Sequence, residues 1–459
     1  MTTSVTVANT RPGRGRRWIE HWEPEDPEFW ASTGRATARR NLILSILTEH
    51  VGFSMWSLWS VMVLFMGPKY GLSVGDKFLL TSTPTLVGAA LRVPYTLAVA
   101  RFGGRDWTVV SALLLLVPTS LCALVIHPGT SLGTFVLVAA VAGVGGGNFA
   151  SSMTNINAFY PQARKGWALG VNAGGGNLGV AAVQLVGLLV LGTAGAAQPR
   201  LVLWIYLPLI VLAATGAALF MDNLATTSHD GGAMRAVVRD PHCWVMSLLY
   251  VGTFGSFIGY SFAFGLVLQN QFHRTPVQAA SVTFLGPLLG SLARPVGGWL
   301  ADRLGGARVS AINFALMAAC AAGLAAAGRA ASLGLYTAAF VALFVFSGVG
   351  NGSTYKMIPG IFLAKARAAV DAGADEPAAL AEARKLSGAL IGVAGAVGAL
   401  GGVGVNLAFR QSFQSTGSGT PAVAGFLAFY ALCLVVTWAV YLRKAPAASP
   451  QAVPVPARI

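Results

Sequence analysis

Twelve stretches of the chain, each about 20 to 30 residues long and almost free of charge, constrain its fold more than any other feature. They run at about 41–67, 77–100, 107–127, 132–158, 166–192, 199–221, 243–269, 278–301, 309–328, 332–362, 386–409 and 422–442. A helix needs about 20 apolar residues to cross a bilayer, and twelve such helices leave only short loops and two tails of a 459-residue chain. Charged residues make up 10% of the chain, against about 25% in a typical soluble domain, and 55% are hydrophobic. Spans must satisfy their backbone groups internally, so the expected fold is all-α and membrane-integral, with no second soluble domain. The surplus of 31 Lys and Arg over 16 Asp and Glu would suggest nucleic acid in a soluble protein. Here basic loops on one face of a membrane explain it, and the lipid bilayer replaces nucleic acid as the partner. Cys122, Cys243, Cys320 and Cys433 stand apart in apolar sequence and read as small core residues, with no disulfide framework or zinc site.

The first forty residues are polar and Arg-rich and contain no apolar signal segment, so the N-terminal tail is expected to stay inside. With both ends inside, 22 basic residues fall on the inner face, among them Arg11, Arg14, Arg16, Lys444 and Arg458 of the tails. Six fall outside: Lys69, Lys77, Arg200, Arg274, Arg329 and Arg410. This bias predicts a multi-pass protein of the cytoplasmic membrane with both termini cytoplasmic. The expected division is a tail at 1–40, six helices over 41–221, a central cytoplasmic loop at 222–242, six helices over 243–442 and a tail at 443–459. The Ala-, Glu- and Lys-rich stretch at 363–385 is expected to be a surface helix between spans.

The two sets of six are related. Leu86 to Gly104 aligns without a gap to Leu288 to Gly306 at an offset of 202, matching Leu, Gly, Arg, Arg, Gly and Gly. Arg92 in the second helix therefore corresponds to Arg294 in the eighth. Looser Gly-rich matches pair helix 4 with helix 10 and helix 5 with helix 11, the pattern of transporters whose site lies between two repeats near the bilayer midplane.

Three basic residues, Arg92, Arg294 and Lys356, fall inside the hydrophobic runs. An arginine at membrane depth costs between about 3 and 17 kcal/mol, so it requires a partner or a pathway. Of the sixteen acids only Glu49 lies within a span, too few to neutralise three bases. A transported anion would supply the missing negative charge, and the planar, permanently charged guanidinium suits a planar oxyanion better than a lysine does. Six pairs of glycines four apart, Gly143/Gly147, Gly170/Gly174, Gly175/Gly179, Gly348/Gly352, Gly388/Gly392 and Gly398/Gly402, are expected to let helices approach closely. Taken with the arginines, they favour a small inorganic anion over a sugar or a drug.

After helix 8 the segment GGWLADRLGGAR, with Gly298, Asp302, Arg303, Gly305 and Arg308, resembles the loop motif of the major facilitator superfamily, and RFGGR from Arg101 to Arg105 is its degenerate copy after helix 2. Arg101, Asp302 and Arg303 are expected to make gating contacts. Four longer blocks, EHWEPEDPEFWASTGRATARRNL, ALRVPYTLAVARFGGR, GGGNFASSMTNINAFYPQARKGWALGVNAGGGNLGV and GVGNGSTYKMIPGIF, together resemble the nitrate/nitrite porters of that superfamily over nearly the whole chain. The resemblance implies the twelve-helix major facilitator fold of two pseudo-symmetric halves and the transport of nitrate and nitrite. It implies that Arg92 and Arg294 hold the anion from opposite sides, that Phe149 forms an aromatic wall, and that Asn177 donates a side-chain amide. By the same resemblance Tyr250, Phe254 and Phe53 line the cavity.

Uptake of a monovalent anion against an interior-negative potential costs about 2.3 kcal/mol per 100 mV, so it needs a second anion leaving or protons entering. Exchangers of the resembled family have no titratable group in the pore, whereas this chain has Glu49 in helix 1 and Lys356 in helix 10. Glu49 and Lys356 read either as a fixed ion pair, with Glu49 otherwise reaching the interface, or as a proton-responsive switch; proton-coupled nitrate import by that switch is the favoured expectation, with nitrate/nitrite antiport second. Formate or chlorate-like oxyanions would also suit two arginines, and a membrane anion sensor is a remoter reading. An enzyme is not expected: the spans contain no HExxH, no Cys/His cluster and no paired carboxylates, and no cofactor or metal is implied. His21, His127, His229, His242 and His273 fall in tails or near span ends, where interfacial roles suffice.

Overall fold

The computed structural model describes residues 17–225 and 231–443. Arg11, Arg14, Arg16, His229, Lys444 and Arg458 lie outside the described residues. The first half contains α1 (Arg35–Trp56, resuming after Ser57 as Leu58–Phe65), α2 (Val74–Phe102), α3 (Gly104–Val125), α4 (Leu132–Phe159), α5 (Gln162–Thr193) and α6 (Arg200–Phe220). The second contains α7 (Pro241–Gln271), α8 (Pro276–Leu304), α9 (Gly306–Arg329), α10 (Leu333–Asp371), α11 (Glu376–Thr416) and α12 (Thr420–Leu442). Ten of these, α3 to α12, are long and apolar enough to cross a membrane. The other two are more polar, with Arg39, Arg40 and Glu49 in α1 and Asp76, Lys77, Arg92 and Arg101 in α2. The order fits a twelve-helix arrangement.

Helices α1 to α6 pack on one another, as do α7 to α12, and the two bundles meet chiefly along α2 with α11 and α5 with α8. Of the ten, helix α7 is the most enclosed, packed chiefly against α11 and touching α1, α2 and α10 as well. Four of the six glycine pairs lie at close helix approaches. A Cβ on Gly348 or Gly352 would stand 2.0 Å from the Gly290 carbonyl oxygen or 2.2 Å from that of Arg294, so only glycine allows α10 to lie this close to α8. The expectation fails for Gly388/Gly392, which have nothing within 4 Å, and for Gly170/Gly174, where Gly170 is open and Gly174 reaches only Ser291 oxygen at 3.9 Å.

The sequence expectation of a tail up to residue 40 needs correction. Asp26 caps a helical turn by accepting from the Glu28 N–H at 2.8 Å, and the chain then winds through Pro27–Phe29 and a wider turn at Trp30–Gly34 directly into α1. Before it, β1 (Trp18–Ile19) pairs in parallel with β2 (Asn223–Leu224), just beyond α6. Arg40 reaches Asp222 at 2.5 Å, and Trp22 packs edge-on against Phe159, so this segment is strapped across the ends of α4 and α6. We call this face of the protein the terminal side.

The stretch at 363–385 is likewise not a separate surface helix. Its Ala, Glu and Lys residues, all strong helix formers, prolong α10 to Asp371 and begin α11 at Glu376. Only a short turn divides them, with Gly373 at φ +97° and Asp375 capping α11 through the Ala378 N–H at 3.0 Å.

Candidate functional site

Arg92 and Arg294 are both buried, 1% and 4% exposed, at the centre of the junction between the halves. Each is followed closely by a proline in its helix, Pro94 two residues on in α2 and Pro295 next in α8. Among the described residues neither is ion-paired with a carboxylate. Arg92 crosses to the other half, where its Nη1 donates to the Gly395 carbonyl of α11 at 2.5 Å. Arg294 donates from Nη2 to the Tyr250 hydroxyl at 3.2 Å. Three guanidinium nitrogens, Nε and Nη2 of Arg92 and Nη1 of Arg294, are buried without a hydrogen-bond partner. Buried polar groups are normally paired, and an unpaired buried charged donor is expensive, so these nitrogens mark where an acceptor belongs.

Aromatic rings connect the two cations. The Arg92 guanidinium lies 4.6 Å from the Phe149 ring centre, 4.9 Å from Phe254 and 5.6 Å from Trp56. Phe149 stacks on Phe254 at 6.0 Å, Phe254 on Tyr250 at 5.2 Å, and Tyr250 meets Tyr355 at 4.6 Å; the Arg294 guanidinium lies 5.3 Å from the Tyr355 ring. Phe53 joins the array edge-on to Phe149 at 6.0 Å. The rings hold the guanidinium planes by cation–π attraction while keeping water and competing carboxylates away. Phe254 owes its position to a locally widened turn of α7 at Val251–Gly255, a distortion common at functional sites.

The structure thus brings together Arg92, Arg294, Phe53, Phe149, Tyr250 and Phe254, and adds Trp56, Tyr355 and Gly395. Nothing in the sequence singled these three out. Tyr355 is adjacent to Lys356, but one residue along a helix turns a side chain by about 100°, so the tyrosine faces the site and the lysine does not. A Cβ on Gly395 would lie 3.2 Å from the Tyr355 hydroxyl, 3.5 Å from Arg92 Nη1 and 3.8 Å from Phe149, which makes this glycine part of the cavity wall. Asn177 is fully buried on α5 with neither amide atom hydrogen-bonded.

Glu49 and Lys356 are not brought together. Lys356 pairs with Asp302 at 2.9 Å where both side chains are substantially exposed, 40% and 58%. Glu49 is buried, and its Oε2 accepts from the Asn172 amide at 2.8 Å; that amide also donates to Ser152 at 2.6 Å. Its other oxygen has no partner, and Gly176 is packed so tightly against it that a Cβ there would stand 2.2 Å away. Both Arg92 and Arg294 are within electrostatic reach of the carboxylate. In this conformation the expected Glu49–Lys356 pair is not made: the buried acid lies with Asn172 and Ser152 in the first half, and the lysine belongs to a surface pair within the second half. Arg303 lies over Trp299 at 4.1 Å, and exposed Arg101 lies over Phe102 at 5.5 Å. Only Asp302 of the three loop residues makes an ion pair among the described residues, and that is with Lys356.

On the side of the site away from the termini the halves are sealed. Phe78 of α2 stacks on Phe409 and Phe413 of α11 at 5.9 and 5.5 Å, Thr81 donates to Asn406 at 2.8 Å, and Gln184 of α5 donates to the Ser261 carbonyl of α7 at 2.8 Å. Toward the terminal side, half-buried Tyr355 is the outermost ring of the cluster. Among the described residues no group of three or more His, Cys, Asp or Glu side chains could hold a metal ion.

Residues 44–404 match the family model of the major facilitator superfamily. The fold resembles the crystal structure of a bacterial homologue of the human lysosomal transporter Spinster in an inward-facing, unoccupied conformation, with TM-score 0.60 and 17% identity over 91% of this chain and 100% of that one. The nitrate/nitrite transporter NarU of Salmonella typhimurium is 39% identical over 94% of this chain and 97% of its own length. NarU of Escherichia coli is 38% identical over the same shares, and the probable nitrate/nitrite antiporter NarK2 of Thermus thermophilus is 32% identical over 93% and 97%. The chain belongs to the major facilitator superfamily and, within it, to the nitrate/nitrite transporters.

Proposed function

We propose that this protein carries nitrate, and nitrite with it, across the cytoplasmic membrane by alternating access, with proton-coupled nitrate import as its working mode. The observation that carries the reading is the pair of buried arginines from opposite halves, with three unpaired N–H-bearing nitrogens between them inside an aromatic enclosure. Nitrate is flat, delocalised and weakly hydrated. It loses little on leaving water, offers its edge oxygens to guanidinium forks and its faces to rings. Nitrite offers the same edge chemistry, so discrimination between the two is modest. Arg92, Arg294 and Tyr250 bind the anion in this reading; Phe53, Phe149 and Phe254 wall it, and Asn177 supplies an amide. The terminal side faces the cytoplasm, in keeping with its excess of basic residues.

The two arginines come from different halves, so the anion draws the halves together as it binds, which is the requirement for a site that closes around its substrate. Glu49 is the titratable group of the cycle. Protonated, it leaves both guanidinium groups to the anion; deprotonated, it competes for them across the Asn172 and Ser152 pocket.

Counterflow into proteoliposomes tests the reading. Labelled nitrate should accumulate against internal unlabelled nitrate or nitrite but not against internal formate or chloride, and an inward proton gradient should drive accumulation without internal anion. Flux only in exchange would favour antiport. Binding without flux would favour a sensor.

A further inference from the structure

The two arginines pose a problem for the return half of the cycle that one buried residue resolves. A site containing two bare guanidinium groups and no anion would have to close and desolvate as a dication, and mutual repulsion in a low-dielectric enclosure resists that closure. A carrier built only from such a pair would return only with a second anion aboard.

Glu49 changes this balance by where it sits, fully buried on α1. It precedes Phe53 by four residues on α1 and therefore lies on the same face, one turn nearer the terminal side, while the Phe53 ring touches Phe149 and Phe149 supports Arg92. Helices α2, α3, α4, α5 and α6 all pack on α1; α3 brings the mutually paired Arg105 and Asp106, and α6 brings Arg200 at its end away from the terminal side. From α2 comes Arg92 and from α8 Arg294, both cationic and both within electrostatic reach. From α5 comes neutral Asn172 and from α4 neutral Ser152. His50, next on α1, directs Nδ1 to the Gly175 carbonyl at 3.2 Å. Lys356 is taken up by Asp302 on the surface. Among the described residues the other buried carboxylate is Asp222, and it is held by Arg40 and Asn41 on the terminal side.

We propose that the site crosses the membrane with the same formal charge in both directions. It crosses with nitrate bound and Glu49 protonated on the loaded leg, and with no nitrate and Glu49 ionised on the empty leg. Two arginines with one nitrate, or two arginines with one carboxylate, both leave a single net positive charge. The carrier therefore moves one proton with each nitrate and no net charge. This stoichiometry rests on the proton-coupled reading above and extends it. The proton taken up by the Glu49 carboxylate on the loading side is released by the same oxygen after nitrate departs, when the two freed guanidinium groups again favour its ionised form. No other group needs to titrate, and nothing on the empty leg must cross as a dication.

The test uses the full-length wild-type protein in proteoliposomes, with the nitrate ratio, the pH difference and the membrane potential set independently, the last by potassium and valinomycin. At one proton per nitrate, a tenfold nitrate ratio is balanced by an opposing difference of about one pH unit. The expected result is that this point of zero net flux stays fixed when the potential is stepped from zero to about 100 mV, and that nitrate jumps on a supported membrane give no sustained current. A balance point that moves with potential while the pH gradient still drives accumulation would overturn the stoichiometry and leave proton coupling standing. A pH difference with no effect on nitrate flux, in vesicles that still exchange nitrate for nitrite, would overturn both.

Discussion

Arg92 of α2 donates to the backbone carbonyl of Gly395 in α11, so a cation of the first half is held by the main chain of the second without a side-chain partner of its own. A carbonyl neutralises none of the charge, and the two guanidinium nitrogens left unpaired remain available to an anion. The contact locates the arginine and leaves its chemistry free.

Replacing either arginine with lysine keeps the charge but removes the planar fork. We expect Arg92→Lys and Arg294→Lys each to lower nitrate uptake by about 10- to 100-fold, the equivalent of roughly 1.5–3 kcal/mol for a lost charge-assisted hydrogen bond. Uptake should be measured in variants whose insertion is verified by surface labelling. Near-normal uptake by both would remove the arginines from the binding site.

Gly395→Ala places a methyl group 3.2 Å from the Tyr355 hydroxyl and 3.5 Å from Arg92 Nη1. The neighbours can yield by only a few tenths of an ångström inside a packed cluster, so the expected effect is a several-fold rise in KM for nitrate with little change in the amount of inserted protein. An unchanged KM would mean that this wall does not border the anion.

Tyr355→Phe retains the ring that faces Arg294 and Tyr250 but removes the hydroxyl that donates to the Ile391 carbonyl at 3.3 Å. One neutral hydrogen bond contributes about 1 kcal/mol, so a change of roughly fivefold in KM for nitrate is expected. Tyr355→Leu, which removes the ring as well, should have a larger effect. Equal behaviour of the two variants would show that the hydroxyl alone matters.

Much of this site was legible in the sequence, and the reason is chemical rarity. Arg92 and Arg294 were conspicuous because bases are scarce in apolar runs and because the repeat places them at one offset; Glu49 was conspicuous as the one acid in a span. Trp56, Tyr355 and Gly395 had no such contrast in a chain with 11 Trp, 10 Tyr and 56 Gly. Which of these face the site depends on helix rotation and on packing between halves, and neither leaves a local mark. Pairing Glu49 with Lys356 failed for the same reason. Both were visible as intramembrane charges, but the rotation of α10 turns Lys356 to the exposed side of the helix, within reach of Asp302.

Lys356→Gln consequently becomes a control for coupling. A partly exposed ion pair contributes at most about 1 kcal/mol, and its loss should leave proton-driven accumulation of nitrate in place with only a modest change in rate. Loss of accumulation with exchange intact would return Lys356 to the coupling mechanism.

Glu49→Gln tests the central claim most directly. The amide keeps the size of the side chain and its contact with Asn172 but cannot ionise, so the empty site would retain both positive charges and the return leg would require an anion. In proteoliposomes, accumulation of nitrate driven by a pH gradient should disappear while exchange of internal for external nitrate continues. Undiminished proton-driven accumulation by this variant would contradict the account.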